Sequence, residues 1–143
     1  MTALDRIRER LAHFPTALVV EGSSSITVKA ADQTGCDVSF LVRRNTFTVH
    51  FAGWHEDFVD EGEALACFAF GLSEKCRLIV SRRGGVDYRW RLEGVDSGRW
   101  VVDSETGLLF YPYFLPRSER TLQNRLISPG EEIPGSDADA EPE

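Results

Sequence analysis

Cysteine is scarce in this sequence, and its spacing follows no disulfide or metal pattern. The chain of 143 residues has three cysteines, an odd number, and no Cys-x-x-Cys spacing. This usage argues against a disulfide framework and a structural zinc site, and it is typical of a protein kept in a reducing compartment. We therefore predict a cytoplasmic protein that carries no cofactor.

Long apolar runs are also missing. No stretch approaches the roughly 20 apolar residues that a membrane-spanning helix needs. The N-terminus is charged between Asp5 and Arg10, where an export signal would have an apolar segment. The sequence therefore predicts no association with a membrane.

Basic residues are absent from the C-terminus. The formal net charge is −7, yet residues 131–143 contain six acidic residues and no basic one. Residues 1–130 therefore hold 17 acidic and 16 basic residues, a net charge of −1. The acidic segment has too few apolar side chains to offset the entropy cost of ordering it. We predict one globular domain over residues 1–130 and a disordered acidic tail over 131–143. Net acidic charge also disfavours nucleic acid as a partner.

The composition that is present can form a core, and it is arranged in clear periods. The chain is 42% hydrophobic and contains 15 aromatic residues. Apolar residues at helical spacing predict an N-terminal helix over 2–14, a central helix over 60–72 and a short C-terminal helix over 118–126. Alternating patterns between them predict about six to eight strands in meander and hairpin order. The expected fold is α+β, a mostly antiparallel sheet with the helices packed on one face.

Turn residues and apolar pattern together predict the hairpin registers, because directly opposed residues must share a face of the sheet. Residues 44–45 are predicted as a two-residue turn, and residues 33–35 and 83–85 as three-residue loops. Residues 99–103 and 108–112 are expected to form a further hairpin. The predicted opposed pairs are Val42–Phe47, Val28–Phe40 and Val80–Tyr88.

Two histidines and two acids in the middle of the chain are the first candidate site. Imidazole and carboxylate groups are ligand types of divalent metals. The spacing matches no recognised metal motif, and acids are also favourable at the start of a helix. The candidate metal or ligand residues are His50, His55, Glu56 and Asp57.

A nucleophilic site is a second interpretation of the same region. The predicted register sets Ser39 directly across from His50, with Asp37 diagonal to the imidazole. Hydroxyl, imidazole and carboxylate are the groups of nucleophilic catalysis. Ser39 nevertheless stands in the middle of a strand, without the glycines of a nucleophile elbow. A polar, solvent-facing sheet surface is the interpretation we favour.

Three arginines form a further candidate site for an anion or a partner. The predicted register sets Arg77 across from Arg91, with Arg89 two residues along on the same face. Like charges directly opposed destabilise a sheet, so something should compensate them. Acids on neighbouring strands, such as Glu93 or Asp103, are one answer. An anionic ligand, an acidic partner or the acidic tail is the other.

The last candidate is an aromatic segment near the end of the predicted domain. Pro112 and Pro116 mark an edge strand or an exit from the sheet. Aromatic side chains on both faces of an edge suggest a contact with a partner protein or a dimer contact. The alternative is that the segment wraps over the core. The candidate contact residues are Phe110, Tyr111, Tyr113 and Phe114.

These features favour a non-catalytic protein-interaction module of chaperone, adaptor or inhibitor type. Its partner would be another protein or a second copy of the chain as a homodimer. The aromatic segment, the acidic tail and the weakness of every catalytic pattern support this prediction. The alternative is a small-ligand-binding protein or a hydrolytic enzyme that uses the His50/His55 region or the face of Arg77, Arg89 and Arg91.

Overall fold

The structure is a computed structural model that describes residues 1–127. The predicted tail over 131–143 lies outside the described residues, so the predicted boundary at residue 130 stays a prediction. The described part is α+β, with nine strands and two α-helices. Neither of these helices is long and apolar enough to cross a membrane.

Each of the two helices begins at a capping side chain. They are α1 (Ala3–Leu11) and α2 (Glu61–Leu72). Thr2 Oγ1 accepts the backbone N–H of Asp5, while the Asp5 carboxylate accepts the backbone N–H of Thr2. Asp60 accepts the backbone N–H of Glu63 at the start of α2. These bonds satisfy donors that the first helical turn leaves unpaired. The central helix is confirmed, and α1 ends before the predicted residue 14.

Five strands form the first sheet, an antiparallel meander in chain order. They are β1 (Leu18–Glu21), β2 (Ser25–Lys29), β3 (Val38–Val42), β4 (Phe47–Phe51) and β5 (Trp54–Phe58). Val42 lies opposite Phe47, as predicted. The predicted β2–β3 register is wrong by two residues, since Ile26 lies opposite Phe40. The Asp37 carboxylate accepts the backbone N–H of Ala30, so a side chain closes this longer loop.

The strand β5 has no clear strand signal in the sequence. Trp54 is buried and Phe58 is partly buried, while the three residues between them are exposed and polar. That polar run hides the alternation that marks a half-buried strand. The pairing of Phe51 with Trp54 makes Ala52 and Gly53 a two-residue turn, with Ala52 at a φ of 56°.

Four strands form a second antiparallel sheet, which corrects the prediction of one sheet. Its order is β8-β7-β6-β9. The strands are β6 (Cys76–Arg83), β7 (Val86–Asp96), β8 (Arg99–Gly107) and β9 (Arg117–Leu122). The predicted hairpin of 99–103 with 108–112 is wrong, because residues 99–107 are one strand that pairs with β7 throughout.

The strand β9 stands where a C-terminal helix was predicted. Its burial pattern is five exposed residues followed by the buried Leu122, so it has little apolar pattern of its own. It pairs with β6 from Leu78↔Leu122 to Arg83↔Arg117. Pairing with β9 gives hydrogen-bond partners to backbone groups of β6 that would otherwise lie unpaired at the sheet edge. These bonds between distant segments outweigh the local preference of residues 118–126 for a helix.

The predicted β6–β7 register is also wrong. Val80 lies opposite Trp90, not Tyr88. Gly84 and Gly85 form a two-residue turn with φ values of 55° and 81°, which glycine adopts at little cost. A β-bulge at Ser81/Arg82 leaves Tyr88 as an extra residue in β7. The extra residue lets a two-residue turn keep the apolar residues beyond it on one face.

The core is one cluster of buried residues from both helices and both sheets, with α2 in contact with strands of both sheets. Both helices lie on the core side of the first sheet, since α2 packs on β3, β4 and β5 and α1 packs on α2. A Cβ at Gly71 of α2 would overlap the ring of Phe51, so the helix lies very close to the first sheet. Trp54 of β5 donates its Nε1–H to Ser104 Oγ of β8 at 2.9 Å, which ties the two sheets together.

Candidate functional site

The two histidines of the first candidate site lie together on the outer face of the first sheet. His50 and His55 are directly opposite, with ring centroids 5.3 Å apart and stacked planes. Burial lowers the pKa of His50, and the charges of His55 and Arg43 lower it further. Glu56 pairs with Val49, whose side chain is in the core, so Glu56 lies on the other face.

The remaining acid, Asp57, accepts a hydrogen bond from Thr48 Oγ1 at 2.6 Å. The four candidate residues therefore do not converge on one point. Among residues 1–127 no group of three or more His, Cys, Asp or Glu side chains is placed to hold a metal ion.

Ser39 lies opposite His50, as the sequence predicts. Its hydroxyl is 2.7 Å from the hydroxyl of Thr27, on the strand away from the histidine. Asp37 accepts hydrogen bonds from Lys29 Nζ and from the backbone N–H of Ala30, both at 2.8 Å. The row of polar groups exists, but the carboxylate is bonded to residues other than the imidazole.

Two of the three arginines of the candidate face, Arg77 and Arg91, are compensated by a buried acid. Arg77 lies opposite Glu93, so its predicted opposition to Arg91 is wrong. Arg77 Nε is 2.6 Å from Glu93 Oε1, and Arg91 Nε is 2.8 Å from Oε2. Burial alone would raise the pKa of Glu93, but the hydrogen bonds from the two arginines outweigh it and hold this pKa below its usual range. The compensation is the one predicted from acids on neighbouring strands.

The aromatic segment connects the two edges of the second sheet. Residues 108–116, here called the strap, run from β8 at one edge to β9 at the other. They carry no regular secondary structure. On the way they contact Tyr88 of β7 and Gly84 of the β6–β7 turn. The strap therefore lies across one end of the sheet.

The strap is fixed at three points. The backbone N–H of Leu108 donates to the carbonyl of Tyr88 at 2.8 Å. The ring of Tyr111 stacks on that of Tyr88, with centroids 4.2 Å apart and an interplanar angle of 14°. Arg83 Nη1 donates to the carbonyl of Leu115 at 2.8 Å. Tyr111 therefore holds the strap in place, whereas the other three predicted contact residues, Phe110, Tyr113 and Phe114, are exposed.

Between these anchors the strap presents large apolar side chains to solvent. Four of them are between 73% and 85% exposed, namely Leu109, Phe110, Tyr113 and Phe114. The rings of Tyr113 and Phe114 meet edge to face, with centroids 5.7 Å apart. Large apolar side chains exposed within one short segment are typical of interaction sites.

Positive charge lies beside the strap. The guanidinium groups of Arg83 and Arg89 lie 5.7 and 5.5 Å from the centroid of the Tyr88 ring. Within residues 1–127 neither group has a carboxylate within ion-pair distance, whereas the nearby Asp87 is paired with Arg82 and Arg120. The strap therefore has two cations at its base that have no carboxylate partner in the described part of the chain.

Sequence reasoning missed Tyr88, Arg83 and Leu115, the residues that hold the strap. Their positions depend on the bulge in β7 and on the turn at Gly84. The only local signal was the Gly84-Gly85 pair, which is typical of a two-residue turn. A two-residue turn here would set apolar residues of β6 opposite polar residues of β7 unless a bulge shifted the register.

A cavity of about 230 Å³ opens far from the strap, between the start of β1, the β2–β3 loop and the residues after β9. Val28, Cys36 and Leu72 form its apolar floor, and Lys29 and Arg125 also line it. Burial raises the pKa of Cys36 to about 11. The lining comes from five separate segments, so no sequence motif marks it.

No protein-family model matches the chain, and no curated protein or solved structure shows significant similarity to it. What the molecule does is therefore inferred from its geometry.

Proposed function

We propose that this chain is a non-catalytic protein-interaction module, of chaperone, adaptor or inhibitor type, with the strap as its docking element. The observation that carries the proposal is the exposure of four large apolar side chains on a backbone fixed at Leu108, Tyr111 and Leu115. Aromatic side chains with such exposure are the usual anchors of protein interfaces.

The anchoring favours binding for an entropic reason. A flexible loop must be ordered when it binds, and this ordering opposes association. The stack of Tyr111 on Tyr88 and the bond from Arg83 to the strap carbonyl order this segment before a partner arrives. Removal of its apolar surface from water then contributes about 25 cal/mol per Å².

The charges beside the strap define the partner's chemistry. Arg83 and Arg89 have no carboxylate partner among the described residues, and they lie at the base of the exposed rings. A partner with an apolar groove and an acidic rim would cover the rings and pair these cations. Such complementarity gives specificity and a faster association rate.

Site-specific cross-linking tests the proposal in the full-length protein. A photoreactive phenylalanine analogue at Phe114 should give one discrete cross-linked protein in the native cell, while the same analogue at the exposed Glu9 of α1 should not. The Phe110→Ser and Tyr113→Ser substitutions should remove the product. Identical products from both positions, or a product that survives these substitutions, would refute the docking role.

The cavity supports a second candidate function, the binding of a small amphipathic carboxylate. Its floor is apolar, and Arg125 supplies a cation among its lining residues. Lys29 also lines the cavity but is paired with Asp37, and Asp32 adds one acidic group. This differs from the sequence-based alternative, which used the histidine region or the arginine face. Hexanoate should shift the NMR resonances of residues that line the cavity, and Leu126→Trp, which fills the space, should abolish the shifts. Shifts unaffected by this substitution would rule the cavity out.

A further inference from the structure

The outer edge of β1 is apolar and uncovered in the described part of the chain. Leu18, Val19 and Val20 are 57%, 39% and 56% exposed, and the only charged residue of the strand is Glu21 at its end. Glu21 is already paired with Arg8 of α1 at 2.8 Å. An edge strand of this composition is a template on which another strand can pair.

The free backbone groups of β1 are identified by its pairing with β2. The backbone N–H of Gly22 donates to the carbonyl of Ser25, so this pair is hydrogen-bonded. Hydrogen-bonded and non-hydrogen-bonded pairs alternate along an antiparallel ladder. Val20 and Leu18 therefore bond to β2, while the N–H and C=O groups of Val19 and Glu21 point away from the sheet.

The other sheet edges carry features that oppose strand addition. β5 has three consecutive exposed polar residues and lies against β7 and β8. β8 contains a bulge in which Asp103 is the extra residue. β9 has exposed charges at Arg117, Glu119 and Arg120. Charges, bulges and coverage are the means by which proteins protect sheet edges. Within residues 1–127 β1 has no bulge and no covering strand, and its one charge, Glu21, stands at the end of the strand and is paired with Arg8.

We propose that a second copy of this chain pairs its β1 antiparallel with β1 across a two-fold axis, forming one ten-stranded sheet. The self-complementary register sets Val19 opposite Val19 of the second copy, with the outward N–H and C=O groups of both residues bonded. It also sets Leu18 opposite Val20 of the second copy on the outer face. Opposed residues then share a face, as a continuous sheet requires.

The choice of occupant follows from this self-complementarity. Two neighbouring registers also keep the faces matched. One sets Val19 against Glu21, an apolar side chain against a carboxylate. The other sets Val19 against Ala17, whose backbone N–H already donates to the carbonyl of Phe14. In the register centred on Val19, each of residues 18–20 lies opposite an apolar residue of the second copy. A two-fold interface uses the same patch on both copies, and β1 supplies such a patch unaided. The dimer would display two straps, which raises avidity for a repeated partner.

Sedimentation of the full-length chain tests the dimer. We expect a mass of twice 16.0 kDa for the wild type as its concentration is raised to ~100 µM, because a dimer with a micromolar Kd is the main species at that concentration. Val19→Pro removes the outward N–H while leaving the bonds to β2 in place, and it should raise Kd by about tenfold or more. The Phe110→Ser strap variant is the matched control and should remain dimeric.

Charge substitutions test the register even if Val19→Pro perturbs folding. Val20→Lys with Leu18→Lys places like charges opposite each other and should give a monomer with an unchanged circular dichroism spectrum. Val20→Glu with Leu18→Lys pairs opposite charges twice and should restore the dimer. A monomeric wild type, a dimer lost in the strap variant but kept in Val19→Pro, or equal behaviour of the two charge variants would overturn the proposal.

Discussion

Replacement of Glu93 by Gln should destabilise the fold more than any other single charge removal on the outer face of the second sheet. Glu93 is only 7% exposed as a side chain, and its two oxygens each accept a hydrogen bond from an arginine Nε. Gln keeps one acceptor but turns an N–H₂ group toward the other guanidinium. One charged hydrogen bond is lost, and a buried donor is left facing a cation.

The magnitude follows from these contacts. A hydrogen bond to a charged group contributes about 1.5–3 kcal/mol. Arg77 and Arg91 keep 30% and 26% of their side chains exposed, so water screens part of the charge. We therefore expect Glu93→Gln to lower the free energy of unfolding by about 1.5–3 kcal/mol, toward the lower end.

Urea unfolding at neutral and acid pH is the assay. The lowered pKa of Glu93 means that its contribution is full above its unfolded pKa of about 4.5 and is lost as pH falls through the folded value. The difference between wild type and Glu93→Gln should therefore shrink below pH ~4.5. The matched control is Glu105→Gln on β8, an exposed residue, which should change stability by less than about 0.5 kcal/mol.

Two results would contradict this reasoning. Glu93→Gln within about 0.5 kcal/mol of the wild type would mean that the two arginines do not depend on the carboxylate. A difference that persists in acid would mean that the effect is steric. A double-mutant cycle with Arg77→Gln would then show whether any coupling energy exists between the two residues.

Three further predictions concern packing, pH and thiol chemistry. Gly71→Ala should destabilise by about 1–2 kcal/mol in urea unfolding, because a Cβ there overlaps Phe51, whereas Gly62→Ala at the exposed start of α2 should be neutral or stabilising. Because the pKa of His50 is lowered, stability should fall as pH drops below about 6.5, and His50→Gln should flatten that dependence in pH-resolved thermal melts. Burial raises the pKa of all three thiols, so iodoacetamide should label the native protein at least about tenfold more slowly than the unfolded one by mass spectrometry. The three are Cys36, Cys67 and Cys76.

Features set by neighbouring residues were predictable from the sequence. Thr2 with Asp5 and Asp60 with Glu63 form caps whose partners lie within one turn. The β3–β4 register also follows from a short turn and a clear apolar alternation. The energy that fixes these features comes from residues close in the chain, so pattern and structure agree.

Features set by distant partners were not predictable. β9 has one buried side chain, and its structure is decided by β6, about 40 residues earlier in the chain. β5 is fixed by its pairing with β4 and by the bond from Trp54 to Ser104 in the other sheet. The segment that forms the strap was singled out in the sequence by its aromatic residues and its two prolines. Its anchor Tyr111 could not be separated from the other aromatics without knowing where Tyr88 lies.

The bulge that defeats the predicted β6–β7 register is also what builds the strap. In the predicted register Tyr88 faces Val80 on the core side of the sheet. As the extra residue of the bulge, it has no partner in β6, and its ring stacks on that of Tyr111 beside the guanidinium of Arg89. A regular hairpin would leave Tyr111 without a ring to pack on, and the segment from β8 to β9 would be an unanchored loop. One inserted residue thus turns a connection between sheet edges into an ordered apolar surface.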